Sequence, residues 1–430
     1  MKQFKIQRMF FYLIAICFTV MSAQGWNAAH AAKLEKNVIK VGFAGGMNFI
    51  FGKQMLQGAQ DAAEEINKAG GVLGSRIEIV SADTSLTAAG AASAIAKLVI
   101  SDKVDYLIGA YTSEESTAFL AEATKRKIVT LTHTTTMQFD DAYKMNPTAN
   151  KYFFALSSSE FHVADHYIDS LPYVVKTLKK ELGLKKINVA YISDNALWTV
   201  NIDKMMKAAF EKYKDDVNLV YFSKPARNAS DFTTEMTEMI KKDVQLVYLH
   251  GGYASVIPFV KQFSQMKVPA LLGGSITLAM TPEDFIKSAG RENTGYIFIQ
   301  NIGTQLSSAR DAKLYEEFKS KHGVYPGYYA LEGYNFIKAL AGGLEKAGSM
   351  HADALIPAIE KNVVPPEKAW GGAIKIVNHR LVFDYNGNKG MRKYTVQYTP
   401  EGDKTVIIYP EKGAMSKIMI PDFMYKKWKE

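Results

Sequence analysis

The stretch from Asn37 to Asp83 limits the possible folds of this chain more than any other. Val38–Phe43 is apolar and rich in β-branched residues, which is typical of a strand buried in a parallel sheet. After a glycine-bearing loop, apolar residues recur at helical spacing: Met55, Leu56, Ala59, Ala62, Ala63 and Ile66. Gly70-Gly71 then ends the helix, and Arg76–Ser81 reads as a second strand. This pattern predicts a strand, helix, strand unit of a parallel sheet.

The same alternation continues along the chain in two series. The first ends at the strand Ile128–Leu131, after a helix over Ala88–Ser101, a strand over Tyr106–Gly109 and a helix over Glu115–Arg126. The second begins after Phe153 and runs through helices and strands to Ala270–Leu272. Alternating strands and helices favour parallel sheets with right-handed crossovers. We therefore expect two α/β units in one chain.

The segment Ile39–Thr84 closely resembles the opening of type I periplasmic solute-binding proteins. Its sequence is IKVGFAGGMNFIFGKQMLQGAQDAAEEINKAGGVLGSRIEIVSADT. Within them it is most similar to the branched-chain amino acid-binding group of ABC transporters. The resemblance implies two Rossmann-like α/β lobes, a hinge that the chain crosses three times and a ligand cleft between the lobes. Carried onto this sequence, lobe 1 is 33–156 plus 301–378, and lobe 2 is 157–300 plus 379–430. A dinucleotide site is a weaker interpretation, because the glycines of Gly42–Gly46 are not in G-x-G-x-x-G register.

The N-terminus has the pattern of a secretory signal peptide. Lys2, Lys5 and Arg8 precede an apolar run from Met9 to Val20, and small residues flank His30. The run is shorter than the roughly 20 residues that a spanning helix needs. We expect cleavage near Ala31 and a periplasmic mature protein without cysteine, since Cys17 leaves with residues 1–31.

Bulk charge gives only weak evidence about partners and does not favour nucleic-acid binding. The formal net charge is +9, but lysines and acids are interspersed and no basic block carries interleaved aromatics. We expect no nucleic-acid partner. The resemblance implies an ABC permease in the inner membrane as partner, and we expect a monomer. A sensor that reports to a membrane kinase or chemoreceptor would have the same domain, so this alternative stays open.

Two loops follow neighbouring strands of the first unit, where ligands of open α/β sheets bind. Ala110–Ser113 follows the strand Tyr106–Gly109, and Thr132–Thr136 follows Ile128–Leu131. Their hydroxyls and backbone amides suit a carboxylate, with Tyr111 as a further candidate. The resemblance implies that Ser113, Thr134 and Thr136 hold the ligand's α-carboxylate and amino group, Thr134 through its backbone. The alternative is that such residues only cap helices.

Aromatic residues are the candidates for the opposite wall. Phe51 lies where the family often has a ligand-stacking tyrosine, Trp198 follows the predicted strand Ile187–Ile192, and Tyr253 follows Val244–His250. Aromatic faces give a cleft apolar area with few rotors. Each of them could instead be a core residue.

One departure from the family changes the expected ligand. Ser275 stands after the strand Ala270–Leu272, where amino acid-binding members have a glutamate for the α-ammonium. A desolvated ammonium without a carboxylate partner is costly. We therefore favour a small organic acid without an amine, aromatic acids included, over a branched-chain amino acid. Polar amides and other short solutes stay open, and Glu160 or Asp194 could supply the missing carboxylate.

Enzymatic motifs are not found in the sequence. It contains no G-x-S-x-G elbow, no H-E-x-x-H helix and no Walker loop, and its histidines are scattered. His133, beside the threonines of the second loop, is interpreted as a hydrogen-bonding loop residue rather than a base. We expect no catalytic residue, no metal and no cofactor.

Overall fold

A computed structural model describes residues 33–252, 254–302, 308–385 and 387–429. The strands are β1 (Val38–Gly45), β2 (Arg76–Asp83), β3 (Tyr106–Gly109), β4 (Thr130–Thr132), β5 (Phe153–Ala155), β6 (Ile187–Ser193), β7 (Val217–Ser223), β8 (Leu246–His250), β9 (Leu271–Gly274), β10 (Phe298–Ile302), β11 (Val363–Val364), β12 (Ile374–Val377), β13 (Arg380–Leu381), β14 (Phe383–Asp384), β15 (Met391–Tyr398) and β16 (Thr405–Tyr409). The α-helices are α1 (Ile50–Lys68), α2 (Ala88–Ala96), α3 (Ser113–Arg126), α4 (Gln138–Met145), α5 (Pro147–Asn150), α6 (Glu160–Leu182), α7 (Val200–Lys212), α8 (Thr233–Lys241), α9 (Val256–Gln265), α10 (Pro282–Ala289), α11 (Ala309–His322), α12 (Tyr328–Ala347), α13 (Ala352–Lys361) and α14 (Asp422–Trp428).

The described strands form two sheets, and each is mainly parallel. The first sheet has the order β11-β12-β13-β5-β4-β3-β1-β2, with β1 to β5 parallel to one another. The second has the order β14-β15-β10-β9-β8-β6-β7, and β16 pairs with β15. Strands β6 to β10 are parallel, and β15 adds antiparallel to β10. The predicted two-lobe α/β fold is confirmed.

The strands change sheet three times along the chain. The changes fall between β5 and β6, between β10 and β11, and between β13 and β14. The last one lies between Leu381 and Phe383, just beyond the 378/379 division expected from the resemblance. No contiguous stretch of the sequence contains a whole lobe, because each sheet takes strands from two separate parts of the chain.

Helices α1 and α12 of the first lobe cross at very short distance. A Cβ at Gly58 would lie 1.9 Å from the Ala330 carbonyl oxygen, and one at Gly333 would lie 1.9 Å from that of Met55. Only glycine at both positions allows this approach. The crossing fixes the start of α12, which reaches the space between the two sheets.

The C-terminal tail packs on the second lobe. Ile418, Ile420 and Met424 are buried in the same cluster as the inner face of α6, and the Trp428 indole N–H donates to the Pro269 carbonyl at 2.8 Å. Across the described ranges, no helix combines the length and the apolarity that crossing a bilayer requires.

Candidate ligand-binding cleft

The carboxyl ends of the strands of both sheets face one cavity, with about 580 Å³ of empty space including its mouth. Lobe 1 contributes hydroxyls, an imidazole and tyrosine rings to its wall: Tyr111, Thr112, Ser113, His133, Thr135, Tyr328 and Tyr329. Lobe 2 contributes Trp198, Gly252, Ser275, Thr277, Met280 and Gln300. Ser158 and Val163, at the first change of lobe, complete it. The wall is therefore aromatic and hydroxyl-rich, as sites for small organic solutes are.

The first wall loop is shaped by a glycine and a helix cap. Gly109 ends β3 at φ +135°, and a Cβ there would lie 2.0 Å from the Ala44 carbonyl oxygen. Helix α3 then begins at Ser113, with Thr112 as its cap and Glu115 closing the capping box. The buried Glu115 carboxylate also accepts the backbone N–H groups of Tyr111 and Thr112, at 3.1 and 2.8 Å. These contacts hold Ser113 at a helix N-terminus that faces the cavity, where partial positive charge favours an anion.

The second wall loop is held from behind by the buried Arg380 guanidinium. It donates to the carbonyl oxygens of Thr134 at 2.7 Å and Thr136 at 3.3 Å, and to both carboxylate oxygens of Asp140. The Thr134 hydroxyl accepts from the Ser116 hydroxyl at 2.8 Å. Thr134 and Thr136 are thus used inside lobe 1, while His133 and Thr135 line the cavity.

On lobe 2 the cavity wall follows β9 and β8. Gly274 ends β9 at φ +137°, and a Cβ there would lie 2.2 Å from the Leu249 carbonyl oxygen, so the position requires glycine. Ser275 and Thr277 follow it on the wall. A Cβ at Gly252 would lie 3.4 Å from Cζ2 of Trp198, so the absence of a side chain there leaves room beside the indole.

Asp194 supports this wall without being part of it. Its Oδ2 accepts the Gly252 N–H at 2.6 Å, and the side chain is buried. Burial raises the pKa of Asp194 to about 6, although the Gly252 hydrogen bond acts in the opposite direction.

The two lobes touch across the cavity. The Tyr111 hydroxyl of lobe 1 donates to the Gly252 carbonyl of lobe 2 at 2.8 Å. The Arg227 guanidinium of lobe 2 pairs with the Glu114 carboxylate at the start of α3. Near the first crossing, the buried Glu160 carboxylate accepts the Met137 N–H at 2.9 Å and the Asn201 N–H at 2.8 Å. Glu160 therefore ties α7 to the second wall loop, and its carboxylate is not on the cavity wall.

The structure brings together half of the predicted site residues. Tyr111, Ser113, Trp198 and Ser275 line the cavity. Phe51 lies one layer behind, fully buried, with its ring 4.9 Å from that of Tyr111 and 4.6 Å from that of Tyr329. Thr134 and Thr136 also lie behind the wall, whereas Tyr253 is outside the described residues.

Several wall residues were missed from the sequence. Tyr328, Tyr329 and Gln300 reach the cavity because α12 and β10 return to it from distant parts of the chain. Nothing local in the sequence indicated that the first turn of α12 faces the cleft. His133 was noted only as a loop residue, because its partner Glu332 is 199 positions away.

Comparison with known families gives the context for this geometry. A sequence model described as "Periplasmic binding protein" matches residues 39–391. The chain belongs to the periplasmic binding protein family. The match spans both sheets, from β1 to the start of β15. The family resemblance seen in the opening strand and helix is therefore confirmed.

Relatives in this family share low identity with the chain over most of its length. Leu/Ile/Val-binding protein homolog 3 of Brucella melitensis is 23% identical over 322 residues, which is 75% of this chain and 82% of that protein. The substrate-binding protein LivJ of Streptococcus pneumoniae, solved with isoleucine, has a TM-score of 0.69 at 21% identity, covering 87% and 100% of the two chains. A solute-binding protein of an ABC transporter from R. palustris, solved with benzoate, has a TM-score of 0.66 at 17% identity, covering 86% and 95%. The structural matches establish the fold.

Proposed function

We propose that this protein is the substrate-binding component of an ABC importer and binds a small organic carboxylate, aromatic acids included, between its lobes. In this proposal the ligand contacts both walls, stabilises the closed arrangement and is delivered to a permease in the inner membrane. Loops of both sheets line one cavity, which supports ligand binding by lobe closure. The proposal also includes a periplasmic monomer released by cleavage near Ala31. Its lobes are 33–156 plus 301–378 and 157–300 plus 379–430, with 379–381 reassigned to lobe 1 because β13 pairs with β5.

The composition of the cavity wall is the observation that supports the proposed ligand class. In the described part of the chain, no aspartate or glutamate lines the cavity. The internal residues outside the described ranges, Tyr253, 303–307 and Asn386, are not acidic either. An ammonium group buried there would lack a carboxylate partner, which is costly. A carboxylate would meet Ser113 at a helix N-terminus, and the rings of Tyr111, Trp198 and Tyr329 would cover an apolar or aromatic body.

We further propose that Tyr111, Ser113, Trp198 and Ser275 contact the ligand directly. Tyr253 is retained as a candidate because it follows Gly252, which is on the wall. Phe51, Thr134 and Thr136 are assigned the role of supporting the wall, since each of them is buried and lies behind it.

A branched-chain amino acid is the second candidate ligand. Curated relatives are named for leucine, isoleucine and valine binding. In addition, the Asp194 carboxylate lies directly behind Gly252, so a small movement of this loop would bring a negative charge to the cavity.

Calorimetric titration of the purified protein distinguishes the two candidates. Leucine, isoleucine and valine would be compared with benzoate and with 4-methylpentanoate, which is leucine without its amine. We expect the acids to bind and each amino acid to bind at least about ten-fold more weakly, a difference of about 1.4 kcal/mol. Micromolar binding of an amino acid with no response to either acid would refute the proposed ligand class.

A further inference from the structure

A buried histidine and glutamate form a hydrogen-bonded pair at the wall of the cleft. Nδ1 of His133 lies 2.8 Å from Oε2 of Glu332, and the two residues are 6% and 2% exposed. His133 follows β4, while Glu332 lies in the second turn of α12. His133 lines the cavity, and Glu332 does not.

The pair has a defined polarity. An ionised carboxylate only accepts hydrogen bonds, so Nδ1–H of His133 donates to Glu332. Nε2 is then the ring nitrogen left for a ligand, and it lies 3.4 Å from the hydroxyl of Thr135, another wall residue. When Nε2 also carries a proton, the positive end of the pair is directed away from Glu332 and toward the cavity.

Glu332 is poorly placed to bind an ammonium group itself. Its Oε2 is taken by His133, and its Oε1 is buried without a partner among the described residues. His133 and the neighbouring rings of Tyr328 and Tyr329 line the cavity, whereas Glu332 does not. A buried carboxylate is nevertheless costly unless a cation or several hydrogen bonds compensate it.

We propose that His133 binds the carboxylate of the ligand through Nε2–H, and that Glu332 is the positioning residue that fixes the ring and balances its charge. This inference rests on the proposed function and deepens it, because it names the residue that binds the anionic group of the ligand. In the complex one imidazolium lies between two carboxylates, that of Glu332 and that of the ligand. Charge-assisted hydrogen bonds of this kind are short and stronger than neutral ones. A ligand whose carboxylate is replaced by a neutral amide gains no such contact.

The test measures discrimination between each acid and its amide by calorimetric titration. The probes are 4-methylpentanoate with 4-methylpentanamide, and leucine with leucinamide, so that either ligand class reports on the pair. We expect the wild-type protein to prefer an acid over its amide by about ten-fold or more, the effect of a charged hydrogen bond. In Glu332→Gln and in His133→Gln the preference should fall below about three-fold, while affinity for the amide changes little.

Glu360→Gln is the matched control. Glu360 accepts the backbone N–H of the buried His379 of lobe 1, and its Oε1 lies 3.7 Å from Nε2 of the same residue, but neither Glu360 nor His379 lines the cavity. This variant should keep the wild-type preference. Circular dichroism and thermal melting establish whether each variant is folded. If Glu332→Gln does not fold, the acid preference of His133→Gln tests the proposal.

The outcomes separate this inference from the proposed ligand class. An acid preference that survives in the folded Glu332 and His133 variants, or that is lost equally in Glu360→Gln, would overturn the role of the pair. If leucine binds but 4-methylpentanoate does not, and both variants lose the preference for leucine over leucinamide, the role of the His133–Glu332 pair is supported and the proposal of a ligand without an amine is wrong. If the wild-type protein binds benzoate but none of the four probes, the same comparison is made with benzoate and benzamide. If it binds neither benzoate nor any of the four probes, both proposals fail.

Discussion

Replacing Asp194 by asparagine should stabilise the protein at neutral pH and leave its stability unchanged in acid. Burial raises the pKa of Asp194 from 3.8 to about 6. Above pH 6 the carboxyl is ionised in both states, and the folded state bears the cost of a buried charge. Below about pH 4 it is protonated in both states, and the cost vanishes. Stability due to this group therefore falls as pH rises from about 4 to about 6.

The expected gain in the free energy of unfolding follows from the pKa shift of Asp194. A change of about two units at 1.36 kcal/mol per unit gives about 3 kcal/mol at pH 7 and above. Asparagine has nearly the same shape, and its Oδ1 can still accept the Gly252 N–H that Asp194 accepts at 2.6 Å. The hydrogen bond that shapes the lobe 2 wall is therefore kept while the charge is removed.

The assay is urea unfolding of the wild-type and Asp194→Asn proteins at several pH values between 4 and 8. The difference in unfolding free energy should grow from near zero at pH 4 to about 3 kcal/mol at pH 8. Because the two proteins are compared at each pH, contributions of other titrating groups cancel. The exposed Asp215→Asn serves as control and should change stability by less than about 0.5 kcal/mol at every pH. A difference for Asp194→Asn that is independent of pH, or that has the opposite sign at pH 8, would refute the reasoning.

Three further predictions concern the ligand and acid stability. Ser113→Ala should weaken ligand binding about five-fold or more, because part of a buried anion loses its partner, whereas Thr136→Ala, behind the wall, should change affinity by less than about two-fold in the same titration. Ser275→Glu should gain affinity for leucine and lose affinity for 4-methylpentanoate through like-charge repulsion, and calorimetry showing no change in their ratio would contradict it. Burial lowers the pKa values of His162, His250 and His379 to about 4 and that of His166 to about 3, so the unfolded chain binds more protons between about pH 6.5 and 4. Urea unfolding should then show stability falling on acidification through this range, by up to about 5 kcal/mol per pH unit for four protons, and constant stability down to pH 5 would be inconsistent with four neutral histidines.

Local patterns were enough to predict the first strands and helices of lobe 1. The strand Val38–Phe43 was predicted, and the structure extends it to Gly45. Helix α1 and strand β2 follow as expected, because periodicity and the Gly70-Gly71 stop are contained in neighbouring residues. The helix over Ala88–Ser101 was also found, although its last turn, Lys97–Ser101, is a π-helix.

Pairings between distant segments could not be read from the sequence. β15 inserts beside β10, and β13 joins β5, because both sheets have an open edge that a late segment can complete. Only the family resemblance indicated this interlacing. The cavity wall has the same origin, since Gln300 and Tyr328 reach it from elements that follow both α/β series.

Buried polar contacts account for the difference between the predicted and the observed cavity wall. Thr134 and Thr136 have the residue type and position expected of ligand contacts, yet Arg380 binds their carbonyl oxygens from a segment about 245 residues later. The sequence shows hydroxyls and loops, but it does not show which face of a loop another segment occupies. Side-chain chemistry therefore indicated the correct loops, while the individual wall residues depended on packing.

The strength of the contacts between the lobes bears on how the proposed function would work. The hydrogen bond from Tyr111 to Gly252 contributes about 1 kcal/mol, as typical hydrogen bonds do. The Arg227 and Glu114 side chains are partly exposed, so their ion pair adds at most about 1 kcal/mol. Each of these two contacts is weaker than the several kcal/mol that a ligand bound to both walls can supply, although further pairs between the lobes, such as Lys319 with Glu283, add to them. A ligand that touches Ser113 on one wall and Ser275 on the other would therefore strengthen closure, and the measured affinity would depend on both walls together.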